Sequence, residues 1–273
     1  MSLINLFSLK GKKIAYSGAT GVLGKTMAVH LAEQGAEVLI LGRTPEKVNE
    51  LVNKINSAGG KASGYFADVT DEESLQKAAI TIESQHGHID VLINSAGGNM
   101  PGAIIRPDQN FLDLDTDSLR KVLDLNYLGT VLPTKALLPL MLKMGKGNIL
   151  NISSMAASRP MTRVMGYASA KAAIDNLTKW LSVELAHKHG PDFRVNAIAP
   201  GFFLTEQNRT LLTEADGSLT QRGKQIKTHT PMNRFGKPED LLGALQWLCS
   251  DASAFVTGTI IPVDGGFSAY SGV

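Results

Sequence analysis

Short apolar, β-branched runs alternate with helical periods along the whole chain, and no other feature constrains the fold as much. Two parallel strands need a long crossover between them, and a helix is the usual one. A repeated strand-helix succession therefore reads as a parallel sheet with helices packed on both faces. The strand-like runs lie at 13–17, 37–41, a third ending at 67, then 91–94, 148–152, 194–198 and 259–262. They predict an α/β, doubly wound, seven-stranded parallel sheet of the Rossmann type. Helices are expected from the glycine turn to about 34, from Thr44-Pro45 to the stop at Ala58-Gly59-Gly60, and from a Thr70-Asp71-Glu72-Glu73 capping box to about 86. Others are expected at about 118–144, at 166 to about 188, and from Lys237-Pro238 onward.

With 273 residues, 43% of them hydrophobic, the chain can bury such a core as one domain over 1–273. Residues 202–232 interrupt the pattern with many polar groups and few core periods, which predicts a lid over a site.

Composition also excludes functions. The formal net charge is +2 and the basic residues are scattered, so neither nucleic acid nor an anionic membrane has an electrostatic footprint to bind. Cys249 is the only cysteine, which forbids an intrachain disulfide and fits a reducing compartment. The first residues lack the succession of a signal peptide, and no apolar run approaches a membrane span. A cytoplasmic protein with a small-molecule substrate is expected, and no metal cluster is apparent.

Between the first strand and its helix stand Gly18, Thr20, Gly21, Val22, Leu23 and Gly24. Small residues on such a turn let backbone N–H groups and the helix N-terminus approach a pyrophosphate, as in dinucleotide sites. The second strand ends at Gly42-Arg43, with no acid to bond ribose hydroxyls. Arg43 suits a 2′-phosphate or adenine stacking, so NADP(H) is expected ahead of NAD(H). Asp68-Val69 and Asn94-Ser95-Ala96-Gly97 follow the third and fourth strands, at the ends that face the ligand crevice.

Tyr167 and Lys171 are an i, i+4 pair opening a helix, so a phenol and an ammonium share one face. A phenol needs a nearby cation to act as a general acid/base near neutrality. Ser154 ends the fifth strand, with a hydroxyl suited to holding a substrate oxygen beside that phenol.

In these motifs and their order, from Lys13 to Gly266, the chain resembles the short-chain dehydrogenase/reductase family of the Tyr-x-x-x-Lys type. The resemblance implies NAD(P)-dependent exchange of a hydride with a C–OH/C=O carbon. It makes Ser154, Tyr167 and Lys171 catalytic, with Asn126 ordering a water behind Lys171. It implies that Pro200, Gly201, Phe203 and Thr205 line the nicotinamide, that Asp68 contacts the adenine and that Asn94 braces the central strand. A homo-oligomer, a homotetramer, is implied too, in keeping with apolar residues Ala244, Leu245, Trp247, Leu248, Phe255, Val256 and Ile260 near the end of the chain. Two departures stand out: the turn runs G-x-x-G-x-x-G, with Val22 where a glycine is usual, and Ser95 replaces an asparagine.

Within the family, segments around Asn99, 199–209, 230–236 and the C-terminal tail are similar to those of the D-mannonate oxidoreductase branch, whose members act on sugar acids. That resemblance makes Asn99, Arg163, Gln207, Asn208 and Arg209 candidate substrate ligands, with an arginine for the carboxylate. A reductase of another ketone or of a 3-oxoacyl thioester would keep the same catalytic residues and change only the lid. A non-catalytic dinucleotide sensor would keep the glycine turn without needing the Tyr-Lys pair.

Overall fold

The seven expected strands all form: β1 (Lys13–Ser17), β2 (Glu37–Gly42), β3 (Lys61–Phe66), β4 (Val91–Asn94), β5 (Gly147–Ile152), β6 (Phe193–Pro200) and β7 (Ile260–Val263). A computed structural model describes residues 3–205 and 208–272 of the chain. The strands pair in parallel throughout, in the order β3-β2-β1-β4-β5-β6-β7. The order reverses between β1 and β4, where ligands of such sheets bind. The helices are α1 (Leu3–Leu6), α2 (Val22–Glu33), α3 (Pro45–Ser57), α4 (Glu72–His86), α5 (Thr116–Leu123), α6 (Gly129–Leu142), α7 (Met165–His189), α8 (Arg209–Leu212), α9 (Gln221–His229) and α10 (Leu242–Cys249).

Strand alternation sends neighbouring side chains into two cores. Ile14, Tyr16, Val38 and Ile40 pack beneath α2, α3 and α10, against Met27, Leu31, Leu51 and Leu248. Ala15, Leu39, Leu41 and Leu92 face the other way, toward Leu75, Ile82, Leu137 and Leu185 of α4, α6 and α7. Each large side chain buried this way contributes about 1.5–3 kcal/mol, and a one-residue slip would exchange the two faces. Register is thereby fixed, and with it the level at which each strand ends.

Several local expectations need correction. The cap of α4 is Asp71, whose carboxylate accepts from the Glu73 and Ser74 N–H groups at 3.0 and 3.2 Å. Thr70 instead donates its hydroxyl to Asp68 at 2.7 Å. Thr44 does precede Pro45 at the start of α3, but its hydroxyl makes no capping bond. The expected helix at 118–144 is two helices joined by a π turn, Asp124–Leu128. A π turn adds a residue without changing the apolar character, so hydrophobic periodicity reads straight through it.

Within the expected 202–232 segment, residues 209–229 form a helical hairpin. Glu214 N–H donates to the Ser218 carbonyl at 2.8 Å. The Thr220 hydroxyl accepts from Gly223 N–H at 3.0 Å and donates to the Leu211 carbonyl at 2.9 Å. Gly223 is obligatory there, because a Cβ would lie 2.3 Å from the Leu212 carbonyl oxygen. α8 and α9 are thus held to each other by backbone as well as by packing.

The apolar excess near the C-terminus is mostly absorbed by the protein's own core. Leu245 and Leu248 are fully buried, and Ala244, Trp247 and Val256 pack against them, whereas Phe255 is fully exposed. Trp180 and Val183 on α7 are also more than half exposed. Burial pushes the Cys249 thiol up to about 12, so it is an inert core group. No described helix is long and apolar enough to cross a membrane.

Candidate active site

The C-terminal ends of the strands open into a cleft of about 460 Å³ that runs from the glycine turn to α7 and the segment after β6. Gly18 sits at φ +80°, and a Cβ on it would stand 2.4 Å from the Ala96 nitrogen and 2.5 Å from the Ser95 carbonyl carbon. Only glycine lets the turn pass so close to the end of β4. A Cβ on Gly24 would meet the Gly18 oxygen at 2.4 Å, so the first turn of α2 also lies tight on the loop. Gly21 is the N-cap of α2 and carries no capping side chain. Thr20, Val22 and Leu23 line the cleft with Gly18, Gly21 and Gly24. The helix thus turns its N–H groups and positive dipole end toward the cleft, an arrangement suited to a phosphate.

Arg43 lines the same end, with its side chain 71% exposed. Its nearest carboxylate is Asp68, at 3.9 Å. Partial burial alone would raise the Asp68 pKa, but hydrogen bonds from the Thr70 N–H and hydroxyl, helped by the Arg43 charge, hold it below the usual carboxylate range. Asp68 is therefore a fixed acceptor at the cleft wall, beside Val69.

Ala96 and Gly97 line the middle of the cleft, whereas Asn94 does not reach it. Its amide donates to the Thr134 hydroxyl at 2.9 Å and to Asn151 Oδ1 at 3.0 Å, and Asn151 donates on to the Thr178 hydroxyl at 2.9 Å. This buried network ties β4 and β5 to α6 and α7, directly below the site. Asn151 was the visible signal for it, a buried polar residue inside an apolar strand, and it was not among the expected site residues.

Asn126 is wholly buried within the π turn, behind the cleft wall. Its side chain accepts from Gly98 N–H at 3.1 Å and donates to the Gly98 and Val122 carbonyls at 2.7 and 2.8 Å. Its own carbonyl accepts from the Thr130 hydroxyl at 2.9 Å. A Cβ on Gly97 would lie 2.6 Å from Asn126 Oδ1 and 3.3 Å from Lys171 Nζ, so the loop after β4 runs directly over both.

Ser154, Tyr167 and Lys171 meet at the far end of the cleft. Ser154 caps a short turn, accepting from Ala156 N–H at 3.2 Å. The Lys171 ammonium donates to the Ile152 carbonyl at 2.8 Å and lies 5.6 Å from the centre of the Tyr167 ring. Burial pulls the Lys171 pKa down to about 8, against the opposing pull of Asp175 one turn on. Burial pushes the Tyr167 phenol up, and a hydrogen bond with Ser154 works the other way. At neutral pH the phenol is protonated and stands beside a cation that would stabilise its anion. Such a pair can give a proton to an oxygen or take one back.

The remaining expected ligands are dispersed. Pro200, Gly201, Phe203 and Thr205 line the cleft. Asn208 lines it too, but its amide is engaged by its own loop, accepting from Thr205 N–H at 2.8 Å and donating to the Phe203 carbonyl at 2.7 Å. Asn99 is exposed and accepts from Met100 N–H at 2.9 Å, and Arg209 is exposed on α8 outside the cleft. Gln207 lies outside the described residues. Arg163 lines a separate cavity with Arg222, a residue the sequence did not single out.

Comparison with known proteins gives the same architecture. Residues 18–268 match the family profile described as Enoyl-(Acyl carrier protein) reductase. An uncharacterised oxidoreductase of Bacillus subtilis, UxuB, is 47% identical over 97% of this chain and 98% of its own length. A crystal structure from Haemophilus influenzae, described as a candidate D-mannonate oxidoreductase with bound NAD, is 43% identical over the whole of both chains, with a TM-score of 0.91. A gluconate 5-dehydrogenase of Burkholderia cenocepacia, in complex with NADP and tartrate, is 30% identical over 98% of this chain and 100% of its own, with a TM-score of 0.87.

Proposed function

The chain belongs to the short-chain dehydrogenase/reductase family, oxidoreductases of alcohol and ketone groups, and we propose that its substrate is a sugar acid of the D-mannonate/D-fructuronate type. The observation that carries the oxidoreductase chemistry is the convergence of Ser154, Tyr167 and Lys171 on the cleft whose other end is the glycine turn.

A nicotinamide dinucleotide fits this cleft. The uncapped first turn of α2 suits its pyrophosphate, Asp68 is a fixed acceptor for the adenosine end, and Thr205 and Pro200 flank the catalytic end. Solved relatives carry NAD in one case and NADP in another. The exposed Arg43 guanidinium, held only by a 3.9 Å approach of Asp68, favours the 2′-phosphate of NADP(H).

When bound, the nicotinamide supplies the hydride that reduces the carbonyl carbon, or accepts it in the reverse direction. The Ser154 hydroxyl holds the substrate oxygen beside Tyr167. Tyr167 gives its phenolic proton to that oxygen as the carbon is reduced, which completes the alcohol and leaves a phenolate. Lys171 stabilises the phenolate by its charge until the proton is replaced, and Asn126 holds the loop of Gly97 and Gly98 beside Lys171. In oxidation each transfer runs backward.

The sugar-acid reading is supported by the basic charge of Arg163, four residues before Tyr167 in a cavity lined, among the described residues, by no carboxylate, and by the names of the Haemophilus and Burkholderia relatives. Residues 202–232 act in this reading as the lid, and the exposed Trp180 and Val183 suit a homotetramer. The test is a panel of D-fructuronate, D-mannonate, D-gluconate, fructose and a 3-oxoacyl thioester, followed at the nicotinamide absorbance. The acids are expected to lead by orders of magnitude in kcat/KM. Preference for the thioester or for a neutral ketone overturns the substrate and leaves the oxidoreductase.

A further inference from the structure

Beside the main cleft lies a second cavity of about 370 Å³, between the loop before α7 and the N-terminal turn of α9. Arg163 lines it from the loop and Arg222 from the helix, with Thr162, Gln221 and Gln225 around them. Among the described residues no carboxylate lines the cavity and neither arginine makes an ion pair. Arg163 is exposed and Arg222 half-buried, and two like charges facing one cavity repel unless an anion joins them.

Two further observations separate this pair from ordinary surface arginines. Arg163 is at φ +76°, a left-handed conformation that a long side chain seldom adopts, and its carbonyl is pinned by Ile105 N–H at 3.0 Å. The strain sets the direction in which its side chain leaves the loop. Arg222 is held below its usual pKa by burial first and then by the charge of Arg163, in keeping with two cations lining one cavity.

The cavity is mechanically joined to the catalytic cleft on both sides. Arg163 is followed four residues on by Tyr167, and Asn208 in the cleft wall caps α8, whose Leu211 lies in the wall of the second cavity. α9 is locked to α8 through the Thr220 hydroxyl and the Leu211 carbonyl. An anion drawn to Arg222 therefore pulls on the same hairpin that borders the reacting end.

We infer that Arg163 and Arg222 together form the carboxylate-binding end of the substrate site, and that Arg222, not Arg209, is the residue of the lid that selects acids over neutral sugars. This deepens the proposed function and rests on its sugar-acid reading. A carboxylate with its two oxygens shared between two guanidinium groups replaces their mutual repulsion by two charge-assisted contacts. A neutral sugar leaves the repulsion in place, so discrimination arises from both sides.

The experiment titrates D-gluconate calorimetrically into the full-length protein saturated with NADP(H) or NAD(H), and measures kcat/KM for D-fructuronate and fructose in parallel. Arg163→Gln and Arg222→Gln are each expected to weaken gluconate at least about tenfold, and Arg222→Lys to recover part of the loss. Raising salt should weaken the wild type more than either variant. The acid-to-neutral ratio of kcat/KM should fall in both variants, with cofactor affinity and unfolding temperature held. Arg209→Gln should leave gluconate affinity as it is. If fructuronate is turned over and neither glutamine variant moves gluconate affinity or the ratio, the inference is overturned while the sugar-acid reading stands. If no sugar acid is turned over but gluconate binding depends on both arginines, the anion site stands and the substrate reading falls.

Discussion

The Ser153 hydroxyl hydrogen-bonds the Asp175 carboxylate, and Asp175 stands one helical turn beyond Lys171 on the same face of α7. The Lys171 ammonium bonds the carbonyl of Ile152, the residue before Ser153. Strand end and helix are thus joined at two successive residues, with a negative group behind the Lys171 ammonium. Asp175 opposes the depression of the Lys171 pKa. Asp175→Asn should lower that pKa further, and the alkaline limb of kcat/KM for reduction, expected near pH 8, should move to lower pH. An unmoved limb would separate Asp175 from the chemistry and leave it a packing group.

Tyr167→Phe removes the phenol proposed as the proton donor and keeps the ring. Turnover is expected to fall by roughly 10²–10⁴, the usual weight of general acid catalysis, with the dissociation constant of the cofactor nearly unchanged. The check is steady-state turnover beside fluorescence titration of the reduced cofactor. Near wild-type turnover would remove Tyr167 from the mechanism.

Arg43→Ala tests the adenosine end. Loss of one charge-assisted contact should weaken NADPH by roughly 1.5–3 kcal/mol, about ten- to a hundredfold, and NADH hardly at all. Equal losses, or a wild type that already prefers NADH, would show that Arg43 meets no phosphate.

Gly18→Ala tests the crevice between β1 and β4. Its φ of +80° and the 2.4 Å approach to the Ala96 nitrogen leave no room for a methyl group. Destabilisation above the roughly 1–3 kcal/mol of backbone strain alone is expected, with weakened cofactor binding. Thermal unfolding with and without cofactor measures both, and a variant of wild-type stability would mean that the crevice yields.

His86 links stability to pH. It lies against Tyr65, with Tyr65 Oη 2.5 Å from His86 Nε2, and 3.4 Å from the Glu37 carboxylate. Burial lowers its pKa, the Lys13 charge adds to that, and Glu37 opposes both. The unfolded chain therefore takes up this proton first as pH falls. The stabilisation is fully present above the unfolded value of about 6.5 and is lost as pH drops through the lower folded value. The urea midpoint should decline below about pH 6.5, and His86→Asn should flatten that decline. A variant with the wild-type slope would assign it to other groups.

The sheet was legible because its inner strands are buried on both sides and carry mostly apolar runs, whereas the edge strands β3 and β7 are partly exposed. Gly18, Tyr167 and Lys171 were legible for a related reason, since their spacing alone puts them on one turn or one helix face. What remained hidden depends on distant parts of the chain. Arg222 is an ordinary basic residue until α9 folds back beside Arg163, about sixty residues earlier in the lining of the same cavity. Asn208 looks free in the sequence, yet its amide closes its own loop. Asp71 and Thr70 are both plausible caps, and only the direction of the Thr70 hydroxyl toward Asp68 decides between them.

The π turn at Asp124–Leu128 sets fold quality against catalysis. Deleting one residue there would restore a regular helix and rotate α5 by about 100° against α6. The smoother helix would gain hydrogen-bond geometry and swing Asn126 away from Gly98, uncovering the ground on which Lys171 stands. A designer who idealised this backbone would thus obtain a sturdier protein and a poorer enzyme, because the irregular residue is where the site is built.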